Sequence, residues 1–61
     1  MTGTVRRWWP SQGFGFVVPD DGSPELFGRG QWNLRKGQRV EFTTEQTARG
    51  LRAVNVRKRK N

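Results

Sequence analysis

Apolar and polar positions alternate through five short stretches of this chain, and the breaks between them fall on Gly, Pro and Asp. Residues 3–9, Gly-Thr-Val-Arg-Arg-Trp-Trp, are rich in β-formers and lack a helical apolar period, which predicts a first strand. Residues 12–18, Gln-Gly-Phe-Gly-Phe-Val-Val, predict a second. The turn chemistry of Pro10-Ser11-Gln12 joins the two as a hairpin, and Pro19 ends the second strand. After the turn cluster Asp20-Asp21-Gly22-Ser23-Pro24, residues 25–28 give a brief third strand. Residues 29–37 read as a loop with Trp32 and Leu34 as a short apolar anchor. Residues 38–44 alternate with Val40 and Phe42 on one face, residues 45–50 form a polar turn, and residues 51–56 give a fifth strand with Val54 and Val56 sharing a face. No helix of ordinary length is supported.

Five short strands, tight turns and no helix predict an all-β fold, a small closed barrel without exposed sheet edges. The expected core is Val5, Val17, Leu26, Val40, Phe42, Val54 and Val56, with Leu51 and Ala53 at its margins. In the second strand, Phe14 and Phe16 are two apart, so their rings point the same way, and Gly13 and Gly15 occupy the opposite face. That spacing fits two readings equally: rings buried in the core, or rings displayed on the surface. An inward Gly15 would let opposing strands approach closely.

Charge changes the picture. Lys and Arg number 12 against 5 Asp and Glu, for a net charge of +7 in 61 residues. Such an excess speaks to partners rather than to fold, with nucleic acid first and an anionic membrane second. Most of the cations are arginine, which pairs bidentately with phosphate and stacks on bases. Residues 57–61, Arg-Lys-Arg-Lys-Asn, read as a basic tail without fixed structure, because like charges repel and nothing apolar tethers them. The expected domain is therefore residues 1–56, followed by this tail. No apolar run approaches a membrane span, and the first residues lack the apolar region of a signal peptide, so a soluble cytoplasmic protein is expected.

Catalysis finds little support. Cys and His are absent, which removes thiolate sites, the commonest general base and the commonest metal ligand. Asp20 and Asp21 sit in a turn, where such side chains cap their own backbone, and Glu25, Glu41 and Glu45 show no ligand spacing. No enzyme activity, cofactor or metal is expected. The aromatics carry the stronger signal. The chain has three Trp and four Phe but no Ile, more rings than a narrow barrel can enclose. Arg6, Arg7, Trp8, Trp9, Phe14, Phe16, Phe27, Arg29 and Trp32 all fall in the first half or just past it. Aromatics interleaved with arginines suit stacking of bases with neutralisation of the phosphates between them.

Six segments, in order, resemble the cold-shock domain, the bacterial cold-shock protein type of OB-fold. Thr2-Gly3-Thr4-Val5-Arg6 is similar to the family's opening T-G-x-V-K. Gln12-Gly13-Phe14-Gly15-Phe16-Val17 is similar to its first RNA-binding motif, K-G-F-G-F-I, and Asp20-Asp21-Gly22 to its D-D-G turn. Leu26-Phe27 falls on the second motif, V-F-V-H-F. Lys36 to Phe42 and Gly50 to Val56 resemble E-G-Q-K-V-x-F and G-P-x-A-x-N-V. The resemblance implies a five-stranded antiparallel OB-type barrel that binds single-stranded RNA or DNA, with a possible role as RNA chaperone or transcription antiterminator. It places stacking groups at Trp8, Phe14, Phe16 and Phe27, supplemented by Trp9 or Trp32, and phosphate contacts at Arg6, Arg7 and Arg29. Several positions depart from the pattern. Arg7 stands where the family has Trp, so Trp8 inherits the neighbouring phenylalanine's stacking place. Gln12 replaces a lysine, Gly28, Arg29 and Gly30 replace Val, His and Phe, and the segment before the fourth strand is several residues shorter. A monomer is expected, with the shortened loop leaving strand exchange between two chains conceivable. A protein-interaction module that binds an acidic surface of the transcription or translation machinery is the second reading.

Overall fold

A computed structural model describes residues 1–59, which form five strands: β1 (Thr2–Trp9), β2 (Phe14–Pro19), β3 (Leu26–Gly30), β4 (Arg39–Thr47) and β5 (Gly50–Lys58). They close into a barrel in the order β1-β2-β3-β5-β4. Four seams are antiparallel, but β3 and β5 run parallel, so the barrel is not antiparallel throughout. β3 and β5 share a direction because β4 and its hairpin to β5 intervene between them in the chain. Among the described residues no helix is long and apolar enough to cross a membrane.

Strand boundaries shift where backbone pairing outruns side-chain pattern. Gln12 and Gly13 belong to the first turn, not to β2. Both of their N–H groups bond to the Trp9 carbonyl, at 2.9 and 3.0 Å, and Gly13 has a φ of 71°, which glycine adopts without strain. β3 continues through Gly30, since Arg29 pairs with Phe14 and Gly30 with Val56. The β4–β5 hairpin reduces the polar turn to Ala48-Arg49 between paired Thr47 and Gly50. β5 also takes in Arg57 and Lys58, expected in the tail. Arg57 lies opposite Glu41 in the sheet and meets its carboxylate at 3.5 Å, which offsets the like-charge repulsion. Lys60 and Asn61, the end of that expected tail, lie outside the described residues.

The core consists of Val5, Trp8, Val17, Leu34, Val40, Phe42, Ala53 and Val56, with Leu26 packed at its edge. Leu34 reaches it from the loop before β4 and is 2% exposed, whereas Trp32 is 71% exposed, so only one of the two anchors the loop. Val5 holds that loop on the other side: its N–H donates to Gln38 and its carbonyl accepts from Gly37, at 2.9 and 2.8 Å. Burying a side chain of this size contributes about 1.5–3 kcal/mol, so Leu34 is a substantial part of so small a core. Two expected members fall out of it. Leu51 is exposed, and Val54 is only partly buried. At Asn55 the backbone turns left-handed, with φ 54°, and the β4–β5 pairing slips beside it. The slip puts Ala53 and Val56, three residues apart, on the inner face and breaks the alternation that paired Val54 with Val56.

Candidate nucleic-acid interface

The outer face of β1, β2 and β3 is set by one irregularity in β1. Val5 pairs with Val17, yet Arg7 pairs with Phe16, so Arg6 is an extra residue in the strand. A bulge of this kind reverses the side to which later residues point. Uninterrupted alternation from Gly3 and Val5 would carry Trp9 inward and Trp8 outward. With the bulge, Trp8 is 8% exposed in the core and Trp9 is 37% exposed outside. The expected stacking place at Trp8 is thereby corrected: its ring lies within the barrel. Gly15, opposite Trp8 in the ladder, makes room for it. A Cβ at Gly15 would collide with the Arg7 carbonyl oxygen and lie 2.6 Å from the Trp8 ring atom Cε3.

The same register gathers four rings. Trp9 faces Phe14, and Phe16 faces Phe27. Trp9 and Phe14 centroids are 5.5 Å apart, and Phe14 and Phe27 are 5.4 Å apart, with interplanar tilts of 43° and 35°. Phe16 stands across its neighbours, 6.1 Å from Trp9 at 73° and 5.9 Å from Phe27 at 79°. All four distances lie in the range where aromatic pairs attract, each by about 0.5–1.5 kcal/mol beyond the area they bury. Each ring is thus held by two others while part of its surface stays open to solvent, which lowers the entropy lost when a planar ligand settles on it.

Arginines flank the rings on both sides. Arg7 lies opposite Phe16, and its guanidinium carbon is 5.9 Å from the Trp9 centroid, within cation–π reach. Arg29 lies opposite Phe14 and is exposed. Among the described residues neither forms an ion pair. Arg6, at the bulge, is 3.4 Å from Glu25, and the two border a small concavity with Arg7 and Phe16. Six of the nine expected residues therefore share one face: Arg7, Trp9, Phe14, Phe16, Phe27 and Arg29. Arg6 sits at its edge and Trp8 beneath it. Trp32 stands on the loop after β3, with no ring contact to the four among the described residues. Sequence reading weighed Glu25 only as a metal ligand and did not place it beside this face. The signal was present, because residues 25, 27 and 29 are spaced by two, as expected for one strand face.

Away from this face, three acids are met by arginines: Asp20 by Arg39, Glu45 by Arg52 and Glu41 by Arg57. Arg39 clamps the ends of β1 and β2: its Nη1 donates to Asp20 Oδ1 at 2.7 Å and to Thr4 Oγ1 at 2.9 Å, and its Nη2 donates to Asp20 Oδ2. The Thr2 hydroxyl adds a 2.7 Å bond to the same carboxylate. The Arg39 hydrogen bonds, then that of Thr2, hold the Asp20 carboxyl well below the usual carboxylate range. Asp21 is likewise lowered by hydrogen bonds from Ser23, whose N–H donates to Oδ1 at 2.9 Å within the turn. These bonds account structurally for the two turn acids.

The sequence model of the "'Cold-shock' DNA-binding domain" family matches residues 1–59. The chain is 43% identical to the "Cold shock-like protein CspB" of Yersinia pestis and 41% identical to the "Cold shock-like protein CspG" of Escherichia coli K12. Both matches cover 92% of this chain and 90% of the relative. The "Major cold shock protein" of Micrococcus luteus is 38% identical, over 92% of this chain and 94% of its own length.

Proposed function

The chain belongs to the cold-shock domain family, and on that premise we propose that its aromatic face binds single-stranded RNA or DNA by stacking bases on Trp9, Phe14, Phe16 and Phe27. The observation that carries this reading is the four-ring cluster flanked by two arginines without an acidic partner among the described residues. Stacking a base on an aromatic side chain contributes about 1–3 kcal/mol and tolerates any sequence, because every base has a π-face. A duplex keeps its bases stacked on one another, so the cluster discriminates against it. Arg7 and Arg29 meet the phosphates that run between stacked bases, and Arg6 supplements them from the bulge. Trp32 extends the contact for strands long enough to reach the loop. Binding that is transient and indifferent to sequence at most positions would keep RNA unpaired in the cytoplasm, as an RNA chaperone or an antiterminator does. The protein acts here as a binding module, not as an enzyme.

Tryptophan fluorescence during titration with heptathymidine, and separately with a duplex, tests the reading. Saturable quenching by the single strand and weaker binding of the duplex are expected. Equal affinity for both contradicts it.

A further inference from the structure

A second group of unmatched cations lies off the aromatic face. Arg35, Lys36, Lys58 and Arg59 are exposed and form no ion pair among the described residues. Arg35 and Lys36 lie in the loop between β3 and β4, and Lys58 and Arg59 close the β5 end of the chain. Backbone bonds bring these two segments to one end of the barrel. The Lys58 N–H donates to Gln31 Oε1, where the loop begins, at 2.9 Å. The Arg59 N–H donates to the Arg39 carbonyl, where β4 begins, at 3.2 Å. Between these ties the loop turns back on itself, and the Gln38 N–H donates to the Arg35 carbonyl at 3.2 Å. Arg59 helps to lower the Asp20 carboxyl, but Arg39 and Thr2 already hold its oxygens. Lys36 stands at the acidic first position of the E-G-Q-K-V-x-F pattern, so positive charge here is a feature of this chain. The loop leaves β3 directly after Arg29 and Gly30, so the basic end adjoins the aromatic face, with the exposed Trp32 between them.

We propose that this basic end holds the phosphates of a duplex whose unpaired strand lies on the aromatic face, so that the protein seats at a duplex–single-strand junction. The inference rests on the single-strand reading above and adds a second site to it. The two surfaces ask for different things. The rings need bases free of a pairing partner. The basic end offers cations on flexible stems, which neutralise phosphates without reading bases. A duplex carries one charge per about 1.7 Å of its axis, twice the density of either strand, and so gains more from a compact group of cations. The barrel measures 27 × 24 × 15 Å, less than the about 34 Å of one duplex turn, so a single junction reaches both surfaces. An anionic membrane is the weaker fit, because surface attachment buries a broad apolar face and Trp32 is the single large exposed apolar side chain of this loop. A protein seated at the junction keeps a strand unpaired beside the helix it came from, where re-pairing would start.

The test titrates the full chain at fixed salt with heptathymidine, with heptathymidine extended by abasic nucleotides, and with a hairpin duplex carrying a heptathymidine overhang at its 5′ or its 3′ end. At least one overhang hairpin is expected to bind about tenfold more tightly than heptathymidine, as two linked contacts do. Its slope of log affinity against log salt steepens by about 0.9 per duplex phosphate contacted. Arg35→Gln, Lys36→Gln, Lys58→Gln and Arg59→Gln together bring the ratio of overhang-hairpin to heptathymidine affinity toward one, with a thermal melt to confirm folding. If neither overhang hairpin gains over heptathymidine, the junction inference is overturned and the aromatic interface stands. The same holds if the abasic extension gains as much as the duplex, or if the gain survives the four substitutions. Capture of phosphatidylglycerol vesicles by the basic end, with no gain from the duplex, overturns it in favour of a membrane. If heptathymidine itself fails to bind, the single-strand reading is overturned, and the junction with it.

Discussion

The barrel presents two outer surfaces made by the same strand alternation, and they are finished differently. On β4 and β5 both acids of β4 are paired across the hairpin: Glu45 with Arg52 at 2.9 Å and Glu41 with Arg57 at 3.5 Å. That surface carries threonines, glutamine and two ion pairs, although the Arg52 Nε is buried without a hydrogen-bond partner among the described residues. On β1, β2 and β3 the outward positions hold four rings, and Arg7 and Arg29 lack acidic partners among the described residues. Among the described residues the first surface displays no exposed aromatic ring. The second leaves π-faces wet and positive charge unmatched, and both are relieved by an anionic chain of planar groups. Net charge alone would not separate the two, since arginines occur on both.

Removing rings should erase the contrast most strongly. Phe14→Ala with Phe16→Ala should weaken heptathymidine binding on the order of a hundredfold, from about 1–3 kcal/mol per stacked base. A thermal melt in parallel separates this from any loss of folding, because both rings are half-buried. The neighbouring tryptophans should then divide by role. Trp8→Ala should cost about 3–5 kcal/mol of stability in urea unfolding, as for a large core aromatic. Trp9→Ala should leave the fold in place and weaken binding by about 1–3 kcal/mol. The reverse assignment would return Trp8 to the surface.

The remaining contrasts are smaller. Asp20 has a folded pKa below its unfolded value, chiefly through the Arg39 hydrogen bonds. The stability it contributes is complete above the unfolded carboxylate range, near about pH 4, and is lost as pH falls toward the folded value. Asp20→Asn should therefore flatten the acid limb of stability against pH, measured by denaturant unfolding between neutral and strongly acidic conditions. Arg7→Gln and Arg29→Gln should each reduce the slope of log affinity against log salt by about 0.7, the loss of one phosphate contact on a single strand. Arg52→Gln breaks an exposed pair on the matched surface and should change stability by less than about 1 kcal/mol and leave the salt slope unaltered.

The barrel was legible because period-two alternation and Gly/Pro/Asp breaks mark strands directly, and six ordered motifs resembled one family. The errors have two physical sources. One is the bulge, at Arg6 in β1 and beside Asn55 in β5. Each reverses the side to which later residues point, and a strict period of two cannot register an added residue. That is why Val54 was expected inside; Trp8 was placed outside by the family resemblance, and the bulge turns it inward. Asn55 did carry a signal, since Asn enters the left-handed region more readily than most residues. The second source is long-range pairing. β5 holds Arg57 and Lys58 through partners in β4 and the loop, with the Lys58 N–H bonded to Gln31 Oε1 at 2.9 Å. The parallel β3–β5 seam depends on chain closure in the same way, as does the choice of Leu34 over Trp32 as the loop's buried anchor, and no local window contains either. Within the site, Phe14, Phe16 and Phe27 were legible as an aromatic group, while the choice between Trp8 and Trp9 required the register.

The most direct test is amide chemical-shift mapping by ¹H–¹⁵N correlation during titration with an unlabelled single-stranded heptamer. The account predicts that the largest shifts fall on Arg7, Trp9, Phe14, Phe16, Phe27 and Arg29, and on the Trp9 indole N–H, with β4 and β5 from Thr43 to Ala53 little changed. Shifts concentrated on the β4–β5 hairpin, with the four-ring face unmoved, would contradict it.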